Sequence, residues 1–137
     1  MMLVVDTNVF VSAALKQSSW PGTVVRWVAT NGGLLKTEAT EQEVMEVLCR
    51  PRIAPKIAPA FLANLRLLFA AATVVTITER ITACRDSHDD KFLELAVNGN
   101  ADVIISGDAD LLVLDIFRDI PIVSPAEFCH ALIVWPS

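Results

Sequence analysis

Five short runs rich in Val, Ile and Leu recur along the chain: LVVD at 3–6, LLKT at 34–37, TVVTI at 73–77, DVIIS at 102–106 and PIVS at 121–124. Most of the intervals between them carry helix signals. VFVSAALK opens one helix, and PGTVVRWVATNGG reads as a second, with Pro21 in its first turn and the Gly32–Gly33 pair as its stop. EATEQEVMEVLCR is a helix closed by Arg50 and Pro51, and Pro59 to Ala72 has helical apolar spacing. DDKFLELAVNGN is amphipathic and ends at Asn98 and Gly99. In SPAEF, Ser124 and Glu127 make a capping box around Pro125. Strand runs that are apolar throughout, rather than alternating, belong in sheets covered on both faces, and their alternation with helices predicts a parallel α/β sandwich. The 53% of apolar residues suits such a sheet.

Residues 1–137 read as one domain, large enough to build a core without disulfides or a structural metal. The longest largely apolar run, Leu67 to Val75, is about half of the roughly 20 residues that a membrane-spanning helix needs, and no signal-peptide pattern precedes the first strand. The expectation is a protein of the cytoplasm with no membrane partner. Cys49, Cys84 and Cys129 are odd in number and lack a CxxC spacing, which argues against a disulfide framework or a zinc site. Two histidines, His88 and His130, are too few for a His-rich metal site and argue against cleavage by a His acid–base pair.

The net charge of −5 argues against a broad basic face for nucleic acid, but the charges are segregated. Glu38, Glu41, Glu43 and Glu46 form an acidic block, followed by Arg50, Arg52, Lys56 and Arg66. An acidic hollow with a basic rim would give this pattern, and so would ordinary solvated helix faces.

Asp6 closes the first apolar strand, where a carboxylate must be held by water, a cation or hydrogen-bond donors. In an open parallel sheet, sites gather at the carboxyl ends of the strands, where strand order reverses. Asp6 lies at one such end, and Asp108, with Asp110, at another. Each acid also has an ordinary explanation. Asp6 and Asn8 are good turn and helix-cap residues; Glu43 could complete a capping box with Thr40; Asp89 and Asp90 sit where a helix dipole favours acids. Asp6, Glu43, Asp90 and Asp108 standing together could not all remain ionised without a cation. A hard divalent ion, Mg2+ or Mn2+, takes a few carboxylates and keeps several waters, and it activates water for phosphodiester hydrolysis.

VVDTNVFVSA, TEATEQEVMEVLCRP, CRDSHDDKFLELA, IISGDADLL and the closing VSPAEF, in that order and spacing, resemble the PIN-domain family, in particular its bacterial branch related to VapC toxins. The resemblance spans essentially the whole chain. It implies a three-layer α/β/α sandwich around a parallel sheet of about five strands, and a Mg2+- or Mn2+-dependent endoribonuclease acting on single-stranded RNA, commonly as the toxin paired with an antitoxin protein. Homodimers also occur among such relatives. Carried onto this sequence, it makes Asp6, Glu43, Asp90 and Asp108 the metal-binding and catalytic acids, with Asn8, Ser106 and Asp110 in support. Asp90 is preferred over Asp89 because Phe92 and Leu93 on the buried face set the register; Asp89 is the fallback. Arg50, Arg52, Lys56, Arg85 and Lys91 are candidate RNA phosphate contacts, although a plain solvated role accounts better for most of them. Ser87 and His88 depart from the family pattern, which has Pro and an acid there, and make His88 a candidate contact for a substrate phosphate. A receiver or haloacid-type phosphatase fits less well, since Asn8 stands where that phosphatase has a second Asp and no Lys follows PIVS. The stronger alternative is a PIN-like module that binds RNA or a protein partner without turnover.

Overall fold

A computed structural model of the protein describes residues 1–134. It contains five short parallel strands, β1 (Leu3–Val5), β2 (Leu35–Lys36), β3 (Thr73–Val74), β4 (Val103–Ile105) and β5 (Ile122–Val123), and seven α-helices among the described residues. The helices are α1 (Thr7–Leu15), α2 (Trp20–Asn31), α3 (Glu38–Leu48), α4 (Pro59–Ala71), α5 (Asp90–Asn98), α6 (Ala109–Leu112) and α7 (Pro125–Val134). One ladder runs β1-β4-β5 and the other β2-β3. A parallel bridge between Leu3 and Leu34, with the Leu3 amide donating to Gly33 O at 2.8 Å, joins them into the order β3-β2-β1-β4-β5. Strand order therefore reverses between β1 and β4, whose register pairs Val5 with Ile105.

Alternation along the central strands divides the core. Leu3, Val5, Val103 and Ile105 face α1, α2, α3, α4 and α7 through residues such as Phe10, Val24, Val44, Phe69 and Phe128. Val4, Ile104 and Ile122 face the other way, toward Phe92, Leu93, Leu95 and Ala96 of α5 and Leu111 of α6. Period-two side chains on a sheet with helices on both faces give the three layers that the sequence predicts. Trp27 is partly buried against Phe128 with ring centroids 5.3 Å apart, so its indole joins the α2–α7 contact.

Local chemistry sets the element ends. Ser19 caps α2 by accepting from Gly22 N at 3.2 Å, and Ser124 and Glu127 form the expected reciprocal box at 3.1 Å each way. Two details differ from the sequence reading. TVVTI forms a ladder only over Thr73–Val74, both exposed at the sheet edge, where no second layer covers them. The box at the start of α3 joins Thr37 and Thr40, because the helix begins at Glu38, one turn earlier than a Thr40–Glu43 box requires. Glu43 is thereby left free to point elsewhere.

Candidate metal centre

The site is built at the strand-order reversal. As β1 ends, Asp6 continues its ladder by donating its amide to Ile105 O at 3.0 Å and then caps α1, its Oδ1 accepting from Asn8 N at 3.3 Å. The cap explanation for Asp6 holds, but it occupies only one oxygen. Asp6 Oδ2 accepts 2.7 Å from the hydroxyl of Ser106, which is fully buried at the end of β4. Ser106 Oγ in turn accepts from the Asp108 amide at 3.0 Å, and Asp108 Oδ1 caps α6 by accepting from Asp110 N at 2.9 Å. One hydroxyl thus ties the two strand-end acids into a single unit.

The remaining acids come from two other elements. Thr7 Oγ1 on α1 donates to Glu43 Oε2 on α3. Lys91 Nζ and His88 Nε2 lie 2.7 and 2.6 Å from Glu43 Oε1. The segment before α5 turns through a 3-10 helix at Ser87–Asp89, capped by Asp86 Oδ1, which accepts from His88 N at 3.0 Å. This turn brings Asp89, buried and free of any capping bond, to the strand-end acids. Carboxylate oxygens of Asp89, Asp108 and Asp110 all lie within 4.8 Å of one another.

Asp90 does not take the crevice-facing direction expected of it. Asp90 is buried, and its Oδ1 accepts from Ala83 N at 3.0 Å and Cys84 N at 2.7 Å, so its carboxylate fastens the 81–84 segment to α5. The 3-10 turn offsets the helical phase by which Asp90 is expected to face the crevice, and its neighbour Asp89 takes that direction. Among the basic candidates, the structure brings Lys91 alone to the acids. Arg50, Arg52 and Lys56 are exposed in the segment between α3 and α4, and Arg85 is exposed before the 3-10 turn.

Titration behaviour follows this geometry. Burial raises the carboxyl of Asp6, opposed by the Ser106 and Asn8 hydrogen bonds and reinforced by Asp108 and Glu43. Burial and then the negative Asp108 push Asp89 up to about 6. Burial also acts to raise Glu43, but hydrogen bonds from Lys91, Thr7 and His88 outweigh it and hold Glu43 below the usual range. Asp90 likewise ends below that range, because its two backbone amides outweigh its burial. Burial pushes the Cys84 thiol up to about 12, helped by Asp90, so it is no thiolate nucleophile at neutral pH. Acids that repel one another, all offering oxygen, with water-accessible members at Asp108 and Asp110, suit a hard divalent cation of the Mg2+ or Mn2+ type.

A parallel α/β sandwich with carboxylates gathered at the reversal of strand order defines an acidic-site α/β protein. The chain belongs to the PIN domain family, whose profile matches residues 2–110. PIN domains are generally nucleases that use a divalent metal. A relative, "Uncharacterized protein MJ1680" of Methanocaldococcus jannaschii, is 31% identical over 119 residues, covering 82% of this chain and 74% of that protein. Two solved structures share the fold. PAE2754 from Pyrobaculum aerophilum has a TM-score of 0.65 at 13% identity, covering 98% of this chain and 91% of that one. VapBC2 from Rickettsia felis, bound to a DNA fragment from its promoter, has a TM-score of 0.57 at 11% identity, covering 90% of this chain and 98% of that one.

Proposed function

We propose that this protein is a divalent-metal-dependent endoribonuclease that cleaves single-stranded RNA, acting as the toxin of a toxin–antitoxin pair. The observation that carries the reading is the convergence of Asp89, Asp108 and Asp110 beside Asp6, from three separate parts of the chain, at the strand-order reversal. When bound, Mg2+ or Mn2+ supplies a water of lowered pKa and positive charge for the phosphoryl oxygens. The chain's own residues hold that arrangement. Ser106 fixes Asp6 and the Asp108 backbone together, Asp86 shapes the turn that presents Asp89, and Thr7 orients Glu43. Asp6, Asp89 and Asp108, with Asp110 in support, are the residues assigned to the ion. Attack of water on phosphorus with cleavage of the P–O3′ bond leaves 5′-phosphate and 3′-hydroxyl ends. A recessed acidic site reaches an unpaired backbone more readily than a regular duplex, which favours single-stranded RNA.

Membership of a nuclease family supports hydrolysis, and the fold shared with VapBC2 supports an antitoxin partner. The test is incubation of purified protein with a panel of single-stranded RNAs in Mg2+, Mn2+ or EDTA, beside Asp108→Asn. Metal-dependent cleavage with 5′-phosphate products, lost in the variant, is the expected result. RNA bound but left intact in either metal would assign the chain to the non-enzymatic PIN-like modules instead.

A further inference from the structure

The Glu43 corner of the site carries its own cation. Lys91, the second residue of α5, places Nζ 2.7 Å from Glu43 Oε1 and 3.0 Å from His88 Nε2. His88 Nε2 is itself 2.6 Å from the same Oε1, and Glu43 Oε2 takes the Thr7 hydroxyl. Both oxygens of this carboxylate are therefore engaged, Oε2 by the Thr7 hydroxyl of α1 and Oε1 by the Lys91 ammonium of α5, with the His88 ring of the 3-10 turn in contact at the same Oε1. The Lys91 and Glu43 side chains are only 22% and 19% exposed, so water screens the pair weakly. The Phe92 ring, with its centroid 5.4 Å from Nζ, adds a further attraction that holds the ammonium in place.

The opposite corner differs. Asp89, Asp108 and Asp110 approach one another with no Lys, Arg or His in ion-pair contact among the described residues. A second divalent ion at Glu43 would have to displace an ammonium from a carboxylate that is already neutralised and hydrogen-bonded, whereas an ion at the opposite corner relieves repulsion that no cationic side chain among the described residues offsets.

We propose that Lys91 is a built-in counter-ion standing in the place of a second divalent cation, so that the centre takes one ion, on the Asp89–Asp108 side, and Glu43 is a positioning residue rather than a ligand. The inference rests on the metal-dependent reading above and specifies its ion number.

Calorimetric titration of the metal-free protein with Mn2+, in the absence of RNA, tests it. Wild type and Lys91→Arg should each take up one equivalent. The double variant His88→Ala with Lys91→Met should take up two, the second more weakly, and adding Glu43→Gln to it should return the value to one. His88 is exposed, and Met in place of the partly buried Lys91 keeps an unbranched apolar stem against Phe92, so the double variant should fold, as circular dichroism will check; should it melt, Lys91→Gln carries the same comparison. Two equivalents on wild type, or one on the folded double variant, overturns the counter-ion role while leaving the metal-dependent function standing. No Mn2+ uptake by wild type removes both.

Discussion

Asp6 and Ser106, separated by 100 positions, meet through a fully buried 2.7 Å hydrogen bond, and the same serine oxygen holds the Asp108 amide at 3.0 Å. The ends of β1 and β4 are thus locked by one hydroxyl.

Ser106→Ala removes a donor from a buried carboxylate and an acceptor from a backbone amide. It should cost about 1–3 kcal/mol of stability, the usual penalty for stranded buried polar groups. Urea denaturation measures the loss. Mn2+ affinity should fall with it, because Asp6 is no longer oriented.

Asp89 and Asp90 should separate cleanly despite being neighbours. Asp89→Asn removes repulsion from Asp108, so the metal-free protein should be at least as stable as wild type while binding Mn2+ about ten- to a hundredfold more weakly. Asp90→Ala strands the amides of Ala83 and Cys84 and should destabilise by about 1–3 kcal/mol. Parallel melts and titrations of the two variants decide; a larger loss of metal binding in the Asp90 variant would contradict the assignment.

The metal-free protein should lose stability as pH rises from about 4 to about 6. A carboxyl raised from 3.8 to about 6 in the fold keeps its proton in the native state after the unfolded chain has lost it. Ionisation through that window is therefore a cost to the fold. Asp6 acts in the same direction. Asp90 and Glu43, held low, add stability at higher pH that is lost only as pH falls below the ordinary carboxylate range. Thermal melts between pH 4.5 and 7.5 should show the decline in EDTA and its reversal by saturating Mn2+, with Mn2+ binding weakening below about pH 6.

Gly33→Ala tests how the two ladders are joined. Gly33 has φ +91°, and a Cβ there would stand 2.1 Å from the carbonyl oxygen of Met1. Both the backbone conformation and the close approach exclude a side chain. A loss of about 1–3 kcal/mol is expected, read by denaturant titration.

Much of this molecule is legible in its residues. The apolar, non-alternating character of LVV and VII requires burial on both faces, which fixes a parallel sheet between helix layers. Asp6 directly follows one such strand, Asp108 comes shortly after the other, past Ser106 and Gly107, and the Ser124–Glu127 box is written in its spacing. These features depend on neighbours within a few positions. Tertiary structure decided that Asp89 rather than Asp90 approaches Asp108 and Asp110, because the 3-10 turn at Ser87–Asp89 precedes α5 and the backbone amides of Ala83 and Cys84 claim Asp90. It also decided that Glu43 would meet His88 and Lys91 rather than cap its own helix, contacts spanning 45 and 48 positions respectively. Local patterns specify which elements form and which faces they bury; the direction of a charged side chain is settled by whichever partner the packed fold brings within hydrogen-bond reach.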